Sequence, residues 1–85
     1  MKILFTAAAA KDMNYWKKVN VAIYKRIERL LGSIQADPQS GIGKPEKLTG
    51  NLSGLISRRI NHEHRLVYGY KNDELLVYSC RYHYD

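Results

Sequence analysis

The stretch LISRRINHEHRLVYGYKNDELLVYSCRY, residues 55–82, decides the fold. It divides into three runs rich in aliphatic and aromatic residues, Leu55 to Ile60, Arg65 to Tyr70 and Leu75 to Tyr82. Polar turns at Asn61 to His64 and Lys71 to Glu74 separate them. Short runs of this kind, bounded by polar connections of hairpin length, read as strands of an antiparallel meander. The second turn carries no glycine, which leaves its type open.

Upstream, Gln39 to Gly54 is punctuated by Gly41, Gly43, Pro45, Gly50 and Gly54 and reads as loop, anchored by Leu48 and Leu52. Before it lie two helical patterns. Ala9, Met13 and Trp16 fall at i, i+4 and i+7, after Thr6, a residue suited to cap a helix starting at Ala7. Ile23, Ile27, Leu30, Leu31 and Ile34 form a second stripe at helical spacing, which Asp37-Pro38 should end. Lys2 to Phe5 suits a short strand. The expected fold is therefore α+β, a single domain over residues 1–85: an N-terminal strand, two helices, then an antiparallel sheet with the helices on one face. The other face is left open for binding.

Composition narrows the function. The chain has 85 residues, 45% of them hydrophobic and 26% charged, which is globular rather than disordered. No apolar run reaches the roughly 18 residues that cross a bilayer, so no membrane partner is expected. The run from Met1 to Ala10 is too short for a secretory signal, and one cysteine, Cys80, cannot form an internal disulfide. A reducing cytoplasm fits best. The formal charge is +6, with +5 in residues 1–36 and +1 in residues 37–85. Such an imbalance favours an anionic partner, nucleic acid above all, and Lys17, Lys18, Lys25, Arg26 and Arg29 of the helices are its candidate contacts.

The chemistry-bearing residues fall into two sets. His62, His64, Cys80 and His83 include zinc ligand types, but their spacing in a turn and on alternating strand faces argues against a metal site, and no cofactor is expected. The second set is more coherent. Glu46 lies in the glycine- and proline-rich loop between Lys44 and Lys47, placed to act as a base. Arg59 and Arg65 stand on the two sides of one hairpin, where their guanidinium groups can converge on a phosphate. His83, between Tyr82 and Tyr84, can donate a proton near neutral pH. Base, anion clamp and acid are the parts of a ribonuclease. Seven tyrosines, five of them from Tyr68 onward, are available for core packing or for stacking bases.

Four segments in order, GKPEKL at 43–48, NLSGLISRRI at 51–60, EHRLVY at 63–68 and CRYHY at 80–84, carry a family resemblance. The chain resembles the YoeB/Txe toxins of bacterial toxin–antitoxin systems, within the RelE superfamily. That resemblance implies a ribosome-dependent messenger RNA endonuclease restrained by a YefM/Axe-like antitoxin, with operator DNA bound only through the antitoxin and a homodimer as a further assembly. By the same resemblance Glu46 is the general base, Arg65 the phosphate stabiliser, His83 the general acid and Tyr84 a substrate-positioning residue. Arg59, Lys44 and Lys47 would contact the messenger and the basic helices ribosomal RNA.

Overall fold

The structure is a computed structural model and describes residues 1–82. Strand β1 spans Lys2–Phe5, helix α1 Ala7–Val19 and helix α2 Val21–Ala36. A two-residue strand β2, Glu46–Lys47, and a single 3-10 turn, Gly50–Leu52, precede β3 at Ile56–Arg59, β4 at Arg65–Lys71 and β5 at Glu74–Ser79.

Two polar residues set the helix boundaries. Thr6 adopts an extended conformation and its Oγ1 accepts from the Ala9 N–H at 3.1 Å, the expected cap. Asn20 closes α1 with its own N–H on the Trp16 carbonyl and opens α2 by accepting from the Ile23 N–H. One residue therefore turns the chain between two helices. Asp37 ends α2 before Pro38. Its carboxylate then accepts from the Gln39 N–H and the Ser40 hydroxyl, and these bonds hold its carboxyl below the usual range.

The Thr6 hydroxyl also donates to the Tyr78 carbonyl at 2.8 Å, so the cap joins α1 to β5. Thr6→Ala removes both bonds and is expected to cost about 1–2 kcal/mol, measured by urea unfolding. A loss below a few tenths would show the cap to be idle.

The sheet has five strands in the order β1-β5-β4-β3-β2. The meander β3-β4-β5 is antiparallel as read from the sequence, but the sheet as a whole is mixed, because β1 returns to pair parallel with β5. The long excursion between them, through both helices and β2 to β4, makes that possible, since parallel neighbours need a long crossover. Asn72 and Asp73 form a two-residue loop between the paired Lys71 and Glu74, with φ of 52° and 62°. That is the pattern of a type I′ turn, supplied by Asn and Asp in place of glycine.

The helices cover one face. Trp16, Ile27, Leu30 and Ile34 pack with Ile56, Leu66, Tyr68, Leu75, Val77 and Cys80. Burial pushes the Cys80 thiol up to about 12, with nearby Asp12 adding to the shift, so it is a packing residue and an inert one. Arg58 shares this inward face and is completely buried.

Candidate functional site

Strand register builds the site. β-strand side chains alternate between faces, and Ile56 and Arg58 point into the core, so Ser57 and Arg59 belong to the face without helices. Glu46 is paired with Ser57, which puts it on that same open face. Arg59 is paired directly with Arg65, and Ser57 with Val67. Glu46, Arg59 and Arg65 therefore surround a small floor of Ser57 and Val67, both buried. Glu46 and Arg59 are diagonal neighbours, which in such a sheet lie roughly 7–8 Å apart at Cα.

Glu46 was expected in a loop. It instead occupies the edge strand β2, whose two pairs to β3 fix which way its carboxylate leaves the backbone. The approach to it is tightly held. The Arg59 N–H donates to the Gly43 carbonyl at 2.6 Å, and Gly43 has φ of 84° with Leu30 and Arg58 too close for a Cβ. Lys44 follows with φ of 51°, a left-handed conformation that costs a non-glycine residue on the order of 1–3 kcal/mol. A groove of about 570 Å³ is lined by Glu46 to Leu52 and includes neither Arg59 nor Arg65.

Two arginines directly opposite one another repel, and such a pair destabilises a sheet unless an anion sits between. Arg65 is braced for that position. Its Nη1 donates to the carbonyls of Asn61 and His64 at 2.9 and 3.1 Å, with His62 at 3.4 Å. Among the described residues its Nε and Nη2 take no partner, which leaves the side-on fork that matches two phosphate oxygens. Arg59 is exposed, and its guanidinium likewise has no hydrogen-bond partner among the described residues.

Other candidates are distributed differently. Lys44 is exposed next to the site, whereas Lys47 pairs with Ile56 and so leaves β2 on the opposite side from Glu46. Lys17, Lys18, Lys25 and Arg29 are exposed on the helices. Arg26 does not join them: its guanidinium donates to the carbonyls of Arg59 and Ile60, behind the arginine pair. His64, which shares the zinc ligand types, is buried against Trp16, and no group of three metal-ligating side chains comes together among the described residues. Tyr68 is core, and burial raises its hydroxyl above the usual range. Tyr78 and Tyr82 are exposed. His83 and Tyr84 lie outside the described residues.

Sequence reading missed Asp12 and His64 as partners of the C-terminal segment, and Arg58 as the organiser of the loop before Glu46. Only Arg58 left a signal, an arginine at an inward-facing strand position.

Residues 5–84 match the sequence profile of the YoeB-like toxin of bacterial type II toxin-antitoxin systems. The chain belongs to the YoeB-like toxin family. It is 50% identical over 84 residues to Toxin YoeB of Synechocystis, covering 99% of this chain and 98% of that one. A YoeB/ParE toxin from Agrobacterium tumefaciens superposes with a TM-score of 0.96 at 36% identity, over 99% of this chain and 100% of that one. The Staphylococcus aureus relative has been solved as a YoeB-YefM complex (TM-score 0.92, 47% identity) and as a YoeB dimer (0.93, 46%), each covering 99% of this chain and 98% of that one. The YoeB-like fold thus extends over the whole described sheet, and no helix among the described residues is long and apolar enough to cross a membrane.

Proposed function

We propose that this YoeB-like toxin is a ribosome-dependent messenger RNA endoribonuclease that blocks translation by cutting the message in the ribosomal A site. The observation that carries the reading is the Arg59–Arg65 cross-strand pair on the same open face as Glu46. A carboxylate beside two converging guanidinium groups suits phosphodiester cleavage by an internal nucleophile. Glu46 takes the proton from a ribose 2′-hydroxyl, whose oxygen attacks the adjacent phosphorus. Arg65, steadied through its Nη1, and Arg59 stabilise the extra charge of the transition state. His83 protonates the departing 5′-oxygen and Tyr84 holds the flanking base. The products carry a 2′,3′-cyclic phosphate and a free 5′-hydroxyl.

The partners follow from the same reading. Lys17, Lys18, Lys25 and Arg29 hold ribosomal RNA, with Arg26 lending its charge from behind the arginine pair; Lys44 meets the messenger, and Lys47, on the other side of β2, is withdrawn from that contact. A YefM/Axe-like antitoxin neutralises the toxin in the cytoplasm and brings the pair to operator DNA. A homodimer is the second assembly, as in the Staphylococcus aureus relative.

Primer extension on a defined messenger tests this, with purified protein and with or without ribosomes paused at a known codon. Cleavage is expected only with ribosomes, and a 2′-deoxy nucleotide at the cut site should abolish it. No cleavage from folded protein in either tube would replace the nuclease by a non-catalytic nucleic-acid-binding module.

A further inference from the structure

The chain leaves β5 at Ser79, and side chains together with one backbone bond from β4 hold the segment that follows. The Cys80 N–H donates to Asp12 Oδ2 at 3.0 Å, and the Cys80 carbonyl accepts from the Trp16 indole N–H at 2.8 Å. The Arg81 guanidinium lies 3.5 Å from the Tyr15 ring centroid and 4.6 Å from that of Tyr82. The Tyr82 N–H donates to His64 Nδ1 at 2.7 Å, and the Tyr82 carbonyl accepts from the Arg65 N–H at 3.1 Å. Asp12, Tyr15 and Trp16 are spaced i, i+3 and i+4, so one face of α1 offers a carboxylate, a ring and an indole together.

Tyr82 is held in a conformation it would not choose. Its φ is 66°, left-handed for a residue with a Cβ, and such strain persists only where the surroundings over-determine it. Here both its N–H and its carbonyl are bound. His64, 7% exposed, packs edge-on to Trp16 with centroids 4.7 Å apart. An imidazole nitrogen accepts a hydrogen bond only when it carries no proton. The bond from Tyr82 therefore selects the neutral ring with its hydrogen on Nε2, the nitrogen 3.6 Å from Glu63 Oε1.

We infer that Asp12, Trp16 and His64 form a clasp on Cys80–Tyr82, and that His64 is a positioning residue which fixes the backbone of Tyr82, the residue that precedes the proposed acid in the sequence. The inference deepens the nuclease reading and rests on it. General acids act only when held close to the productive geometry, and a displacement of about 1 Å can cost on the order of 100-fold. Arg65 then does two jobs: its side chain faces the phosphate while its backbone N–H anchors Tyr82, so clamp and acid share one support.

The test uses the purified chain with ribosomes stalled on a defined messenger, and compares His64→Leu, His64→Asn, Trp16→Phe and Glu46→Ala with the unaltered protein. Leucine fills the volume but accepts nothing, whereas asparagine places an oxygen near the position of Nδ1. His64→Leu and Trp16→Phe should slow cleavage at saturating ribosomes by about 10- to 100-fold, with the half-saturating ribosome concentration changed less than about twofold. His64→Asn should recover most of the rate. Imidazole nitrogen spectra of the unaltered protein should show Nδ1 bare and Nε2 protonated, with slow exchange of the Tyr82 amide. A His64→Leu protein that cleaves at the original rate, or a proton on Nδ1, overturns the clasp. No cleavage by the folded, unaltered protein overturns the nuclease reading instead, and Glu46→Ala at the original rate removes Glu46 as its base. The spectra and Trp16→Phe carry the test if His64→Leu does not fold.

Discussion

Replacing Glu46 with glutamine is expected to lower ribosome-dependent cleavage by roughly 10²–10⁴-fold, the range lost with a positioned general base. Glutamine keeps the shape and the hydrogen-bonding reach of the side chain but cannot take a proton at neutral pH, so it separates chemistry from positioning. The fold should not notice. Glu46 is exposed, and β2 is held to β3 through backbone pairs that the substitution leaves in place. The midpoint of thermal unfolding should therefore move by no more than a few degrees, and ribosome affinity should stay within about twofold, since the proposed contacts to ribosomal RNA are made by Lys and Arg on phosphate. Single-turnover rates at saturating ribosomes give the comparison. A Glu46→Gln protein within threefold of the original would remove Glu46 from the proton-transfer step.

Arg65 is the natural companion, yet its substitution would be harder to interpret. Its guanidinium braces the turn through the Asn61 and His64 carbonyls, and its backbone holds Tyr82, so the residue serves fold and chemistry together. Glu46→Gln leaves the backbone pairs of β2 in place, which makes it the cleaner probe of the proposed chemistry.

How far the sequence alone reaches can be judged residue by residue. Local signals were legible: the Thr6 cap, the stop at Asp37-Pro38, the stripe from Ile27 to Ile34 and the three strands after residue 55 all rest on contacts within a few positions of one another. The pairing of Arg59 with Arg65 belongs to this class, because hairpin register follows from the turn. Long-range pairings were not legible. Nothing in Lys2 to Phe5 announces a parallel partner more than 70 residues away. The third strand run reads in the sequence as continuing to Tyr82, but β5 ends at Ser79 because the Cys80 N–H goes to Asp12 and its carbonyl to Trp16. Side chains distant in sequence took over backbone groups that the pattern assigned to a ladder.

Arg58 shows the same limit most sharply, and its replacement carries the largest stability effect expected. Its guanidinium has five N–H donors and five acceptors around it: Tyr68 Oη at 3.0 Å from Nε, Ser33 Oγ and the Ile42 carbonyl at 2.8 and 3.1 Å from Nη1, and the Asp37 and Ser40 carbonyls at 2.8 and 2.9 Å from Nη2. The Tyr68 hydroxyl in turn donates to the Pro38 carbonyl at 2.6 Å. The segment from Asp37 to Ile42 is thus wound around one cation, with no ion pair to a carboxylate among the described residues. Arg58→Leu removes every donor while leaving the acceptors in place, each worth about 1–3 kcal/mol if it stays dry. Ser40 and Ile42 lie in an exposed loop and can turn to water, so the costs do not add in full. A loss of about 3–5 kcal/mol is expected, or on the order of 12–40 °C in the unfolding midpoint of so small a domain. Lysine at this position has three donors at a single point and cannot span acceptors on both sides of the fork, so Arg58→Lys should recover less than half of the loss. Guanidinium denaturation of the three proteins decides it. An Arg58→Leu protein within about 1 kcal/mol of the original would mean that the loop keeps its path, and hence the approach to Glu46, without the cation at its centre.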